Sequence, residues 1–162
     1  MELQDLLHAD HGELERVVWD LLDTGELEAA LDNLQLKFAA HIEAESAVLQ
    51  SVIASKPPPE LATVLSLVLA DHVEQERAIV GLLCAEVGTD AWRARILELQ
   101  VMLQFHDRHE REYALPALRG HLQPASYRTL ATAYQTERME ARNTTRAPLS
   151  LHLSGPQRQQ TA

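Results

Sequence analysis

Glycine and proline interrupt this chain at only a few places, and that spacing fixes its fold class. The breaks are Thr24-Gly25, Pro57-Pro58-Pro59, Gly88-Thr89, Gly120 and Pro124. The segments between them are rich in Ala, Leu, Glu, Gln and Arg, all good helix formers. None sustains the alternation of β-branched and aromatic residues that marks a strand. The pattern predicts helices over Glu2–Asp23, Glu26–Ala54, Glu60–Val87 and Asp90–Arg119, with Gly81 tolerated inside the third. A shorter fifth helix is expected over about Ala125–Arg142, with Pro124 at or just before its start. Long helices with short joints become antiparallel neighbours. The expected fold is therefore all-α: an up-down-up-down four-helix bundle over residues 1–142, followed by a C-terminal tail at 143–162.

Apolar residues recur in steps of three and four along each predicted helix, the mark of one core-facing stripe. Leu3, Leu7, Leu14, Val18 and Leu21 form the first stripe, and Leu27, Leu31, Leu34, Phe38, Val48 and Val52 the second. Leu61, Leu65, Val68, Ile79 and Leu83 form the third, and Trp92, Leu99, Met102, Leu103, Tyr113 and Ala117 the fourth. Each stripe has a gap, and a histidine fills it: His11, His41, His72 and His106. Glu45 and Glu110 follow His41 and His106 by four residues, which places each carboxylate on the same helix face as its imidazole.

Counting from the breaks puts these residues at one height. His11 lies 14 residues before Gly25 and His41 lies 16 after it; His72 lies 16 before Gly88 and His106 lies 18 after it. Such offsets correspond to roughly 3–5 Å along a helix axis. Four imidazoles and two carboxylates thus converge in one layer of an antiparallel bundle. Burying them uncompensated is costly, and a cation removes that cost. Six ligands exceed one tetrahedral zinc and suit a dinuclear centre. Nitrogen and oxygen donors without sulfur favour iron or manganese, although zinc would also bind.

The chain also repeats itself. Residues 9–16 (ADHGELER) and 70–77 (ADHVEQER) share six of eight positions, and each is followed by a helix bearing His-x-x-x-Glu. Two hairpins related by a pseudo-twofold axis suit a symmetric two-ion site.

Composition excludes several function classes. With 14 Lys and Arg against 24 Asp and Glu, the net charge of −10 argues against nucleic acid and anionic membrane surfaces. The single Cys84 excludes a disulfide framework and a cysteine-based metal site. The longest apolar stretch, Leu61 to Ala70, is far shorter than the roughly 20 residues a membrane span needs. The acidic opening MELQDLLHAD lacks the regions of a signal peptide, so a cytoplasmic location is expected.

These residues resemble the hemerythrin-like family, also called the HHE cation-binding domain, over about residues 3–140. The resemblance is carried by Asp-His at 10–11 and 71–72, by His41-x-x-x-Glu45, and by His106-x-x-x-Glu110 with Leu115-Pro116. It implies a four-helix bundle around a non-haem di-iron centre, two iron ions bridged by carboxylates. The implied ligands are His11, His41, Glu45, His72, His106 and Glu110. Small ligands such as dioxygen, peroxide or nitric oxide are its implied partners. The oxygen carriers of the family have His-x-x-x-His on the third helix, where this chain has His72-x-x-x-Glu76. The order found here is more like members implicated in iron–sulfur repair, iron sensing or peroxide handling. Peroxide decomposition and iron oxidation would make the protein an enzyme, whereas ligand binding, iron donation and iron or oxygen sensing would not.

Other residues admit plainer readings. Glu15 and Glu76 are candidate extra ligands, with surface ion pairing as the ordinary alternative. His8 belongs at the stripe border, and His109 points toward a neighbouring helix or solvent. Tyr113, one turn beyond Glu110, reads as a core aromatic or as a hydrogen-bond donor to a bound oxygen species. Asp10 and Asp71 are either acceptors for imidazoles of adjacent helices or solvated charges. Cys84 reads as a small buried hydrophobe.

Overall fold

The computed structural model describes residues 1–144, and six α-helices carry most of them. α1 spans Leu3–Asp20, α2 Leu27–Ala54, α3 Pro59–Leu83 and α4 Asp90–His109. A π-helical turn, Glu110–Ala114, joins α4 without interruption to α5, Leu115–His121, and α6 follows over Pro124–Thr144. No strand occurs among the described residues. The fifth predicted helix, here α6, is longer than expected: its 21 residues exceed the 18 of α1, and it takes in Asn143 and Thr144 from the expected tail. The rest of that tail lies outside the described residues.

Local chemistry accounts for the helix ends. The Asp5 carboxylate accepts from the Glu2 backbone N–H at 3.0 Å at the start of α1. Thr89 Oγ1 accepts from the Trp92 N–H at 3.2 Å at the start of α4. α3 begins with Pro59, whose missing N–H is no loss in a first turn. Gly88 takes φ +80°, a conformation open to glycine, and so turns the chain between α3 and α4.

From α1 to α4, consecutive helices pack antiparallel, and contact between α1 and α4 closes the ring. α6 lies against α2 and also touches α1. The apolar interior falls into two clusters rather than one. The first contains Leu3, Leu7, Val48, Leu61, Leu65, Val68, Leu118 and Tyr134. The second contains Leu14, Val18, Leu34, Phe38, Leu82, Trp92, Leu99 and Leu103. Each buried aliphatic side chain contributes about 1.5–3 kcal/mol, so both clusters hold the helices in register. Between them in sequence, on α1 to α4, lie His11, His41, His72 and His106.

No helix of the described residues is long and apolar enough to cross a membrane. Cys84 is exposed, contrary to the buried position expected for it. The cause is the end of α3 at Leu83, short of the predicted Val87, which leaves Cys84 in the turn that follows.

Candidate metal centre

All six residues that fill the gaps in the stripes are buried: His11, His41, Glu45, His72, His106 and Glu110. The imidazole centroids of His11 and His41 are 4.7 Å apart, those of His11 and His106 5.1 Å, and those of His72 and His106 4.8 Å. The four rings therefore occupy one layer, as the counting from the breaks predicts. One ligand atom from each of His11, His41, Glu45 and His106 falls in a group whose members all lie within 4.8 Å of one another. Glu45 Oε2 is the hub, 3.3 Å from His41 Nε2, 3.1 Å from His72 Nε2 and 3.4 Å from His106 Nε2. Glu110 closes the other side, 3.6 Å from the Nε2 atoms of both His11 and His106.

Three of the four outward ring nitrogens have hydrogen-bond partners of their own. His11 Nδ1 faces Asp107 Oδ1 at 3.1 Å, and because a carboxylate only accepts, the imidazole donates. His41 Nδ1 lies 3.0 Å from the Tyr134 hydroxyl, which itself donates to Asp10 Oδ2. The tyrosine oxygen is thus left to accept from His41 Nδ1–H. His72 Nδ1 pairs with Ser46 Oγ at 3.0 Å. His106 Nδ1 faces Asp71 Oδ2 at 3.8 Å, an ion-pair distance. With their outer N–H groups engaged, His11 and His41 turn bare Nε2 lone pairs toward each other across 3.2 Å. Lone pairs brought so close need a proton or a cation between them.

The protonation pattern points the same way. Burial and the charge of Glu45 push Glu110 well above the carboxylate range. Glu45 stays well below it despite burial, because Glu110 and the facing imidazoles stabilise its charge. Without a cation, then, the two carboxylates titrate as a pair, Glu45 held toward its charged form and Glu110 toward its protonated one. Burial lowers His41, whose neighbours are other imidazoles. Burial alone would lower His106 as well, but Glu45 and Asp71 raise it to about 9. Glu45 Oε1 and both ring nitrogens of His106 are buried without a hydrogen-bond partner among the described residues. Inward lone pairs, carboxylates that titrate as a pair and orphaned donor atoms all fit a cation in this layer.

Other expectations resolve one by one. Glu76 is exposed and Glu15 half-buried, and neither is in the cluster. The His8 side chain is 70% exposed. His109 reaches across to α3 and pairs with Asp71 Oδ2 at 2.8 Å. Asp71 does face an imidazole of an adjacent helix, whereas Asp10 acts through Tyr134. Tyr113 is neither a core aromatic nor near the layer's interior: it is 58% exposed. The π turn explains this. Its wide turn, closed by the Leu115 N–H on the Glu110 carbonyl, rotates Tyr113 outward and brings Ala114 and Leu115 onto the buried face.

The supporting residues Tyr134, Asp107 and Ser46 were not anticipated. A signal for Tyr134 was present, since Tyr127, Ala131, Tyr134 and Ala141 recur at helical spacing and are all buried. Asp107 and Ser46 carry no comparable pattern, because each serves a histidine on another helix.

Comparison with protein-family models, with curated proteins and with solved structures gives no match. The geometry of the chain itself carries the functional reading.

Proposed function

We propose that the buried His/Glu layer is a non-haem dinuclear metal centre holding two iron ions, as the resemblance to the hemerythrin-like family implies. In this reading the centre binds or reacts with small oxygen or nitrogen species such as dioxygen, peroxide or nitric oxide. The observation that carries it is the convergence of inward ring nitrogens on two carboxylates in a layer closed to solvent. His11, His41, Glu45, His72, His106 and Glu110 would hold the ions, the two carboxylates supplying the negative charge that offsets them. Bound iron would supply one- and two-electron exchange with a small ligand. The chain supplies the rest. Asp107 and Tyr134 fix the rings of His11 and His41 so that Nε2 is free to bind. The apolar clusters on either side exclude bulk water and strengthen every electrostatic interaction in the layer.

Anaerobic loading with ferrous iron, followed by exposure to air, tests the proposal. Close to two irons per chain, with near-ultraviolet charge-transfer bands that form on oxidation, is the expected result. A chain that takes up no iron, or retains one zinc without such bands, overturns it. Titration with hydrogen peroxide then separates turnover from stoichiometric binding.

One observation favours a second reading, an iron donor or iron or oxygen sensor. Tyr134 ties α6 to the candidate ligand His41, so metal occupancy and the docking of α6 are energetically linked. A sensor should lose iron readily and change its susceptibility to proteolysis at α6 when it does so. A catalyst should retain iron through turnover.

A further inference from the structure

One buried side chain beside the layer has no partner. Gln75 is 1% exposed, and neither its Oε1 nor its Nε2 has a hydrogen-bond partner among the described residues. Burying an unpaired amide costs stability, and such a group calls for a reason. Gln75 stands three residues after His72 on the buried face of α3. Helical side chains lean toward the N-terminus of their helix, so the Gln75 amide reaches back toward the imidazole layer.

The layer has two sides, and Gln75 is on the one without carboxylates. Glu45 and Glu110 are followed along their helices by Val48 and Ala114, members of the first cluster. Gln75 is followed by Ala78 and Ile79, members of the second. On that same side Leu14, Phe38 and Leu103 each stand three residues from a histidine. The buried wall on that side is thus apolar apart from two neutral amides, Gln75 and Gln100, and Gln100 is already tied through its Nε2 to the Glu15 carbonyl at 2.7 Å. The internal repeat sharpens the contrast, because the position of Gln75 in one copy is Leu14 in the other.

We infer that Gln75 is the hydrogen-bonding residue for a small ligand of two or three heavy atoms that occupies the centre on the side facing the second cluster. The inference rests on the metal reading of the layer and adds where the ligand sits and what recognises it. An amide is suited to that role: it offers N–H donors and a carbonyl, yet carries no charge that would compete for the cations as a third carboxylate would. Leu14, Phe38 and Leu103 exclude larger polar molecules, and of the two buried amides only Gln75 has both its N–H donors and its carbonyl unpaired among the described residues.

Gln75→Met keeps the length of the side chain and removes both polar atoms; Gln75→Leu installs the residue of the repeat mate. Metal content, thermal unfolding of the metal-free chain and azide affinity of the iron-loaded chain are read for each. Both variants should load iron like the parent. Their metal-free forms should melt about 2–4 °C higher, because an unpaired buried amide is gone. Azide should bind about three- to tenfold more weakly, the loss of one hydrogen bond. Unchanged azide affinity overturns the inference, as does a lower melting temperature in both variants. Reduced iron loading also overturns it, since Gln75 would then serve the metal rather than the ligand. If the parent chain itself binds no iron, the metal reading fails first, which is a separate and recognisable outcome.

Discussion

In the first half of the internal repeat, His11 is backed by Asp107 and His41 by Tyr134, with Asp10 and Arg138 behind the tyrosine. In the second half, His72 is backed by Ser46 and His106 by Asp71. The inner donors are the same in both halves, one histidine and then a His-x-x-x-Glu pair. Each half also has one carboxylate and one hydroxyl behind its imidazoles, but at exchanged positions: the carboxylate backs the lone histidine in the first half and the histidine of the pair in the second. The inner set follows from a duplicated pattern within helices. The outer set is assembled by tertiary packing, and α6, which has no counterpart in the repeat, supplies part of it. A sequence repeat can therefore produce a symmetric donor layer and leave its reinforcement unsymmetric.

The strongest way to break the symmetry of the inner set is at its hub. Glu45→Gln should abolish iron loading, because Glu45 faces three imidazoles, and metal analysis of the purified variant checks it. Glu110→Gln, which faces two, should retain a single ion. The apolar clusters should behave alike: Leu65→Ala in the first and Leu99→Ala in the second should each cost about 2–5 kcal/mol in denaturant unfolding.

The outer set is where the halves should separate. Tyr134→Phe removes the acceptor of His41 Nδ1–H and the donor to Asp10, so iron affinity should fall about 10–100-fold. Ser46→Ala should weaken iron binding less, by under about tenfold, since one neutral hydrogen bond is lost. Competition with a chelator of known affinity measures both. Equal losses would mean that the outer supports are as symmetric as the inner donors.

Proton release is a further comparison. In the metal-free chain His106 is raised to about 9 by Glu45 and Asp71 and so carries a proton at neutral pH, while burial and the charge of Glu45 shift Glu110 toward its protonated form. A cation must displace bound protons, and affinity should therefore rise with pH until pH passes about 9. Calorimetry in two buffers of different ionisation heat should show net proton release on metal binding at pH 7. The same displacement works on the fold. A raised imidazole pKa stabilises the metal-free chain below the unfolded value and loses that contribution as pH climbs through about 9. The smallest effect belongs to Tyr113→Phe, which should leave iron affinity unchanged and shift stability by less than about 0.5 kcal/mol, given its exposure.

What could be read in advance follows the same division. Helix positions and the convergence of His11, His41, His72 and His106 depend on periodicity and rise per residue, which are properties of single helices. The start of α2 at Leu27 differs by one residue from the predicted Glu26, and its end at Ala54 coincides with the prediction. Tyr113 was misplaced because a π turn alters the angular step after Glu110, and periodicity counted at 3.6 residues per turn cannot register that. Gln75 was hidden for a different reason. Within a repeat dominated by identities, a Leu-to-Gln difference looks like surface variation until burial shows otherwise.

The hydrogen bond between Tyr134 and Asp10 joins residues 124 positions apart. During synthesis the ring of α1 to α4 leaves the ribosome before Tyr134 does, at about 5–20 residues per second. For that interval His41 has its Nε2 partners in reach and nothing behind it. α6 thus acts as a clock. In the metal reading, an ion captured early would meet a looser site than one captured late, and the centre would reach full affinity only after α6 has emerged and docked.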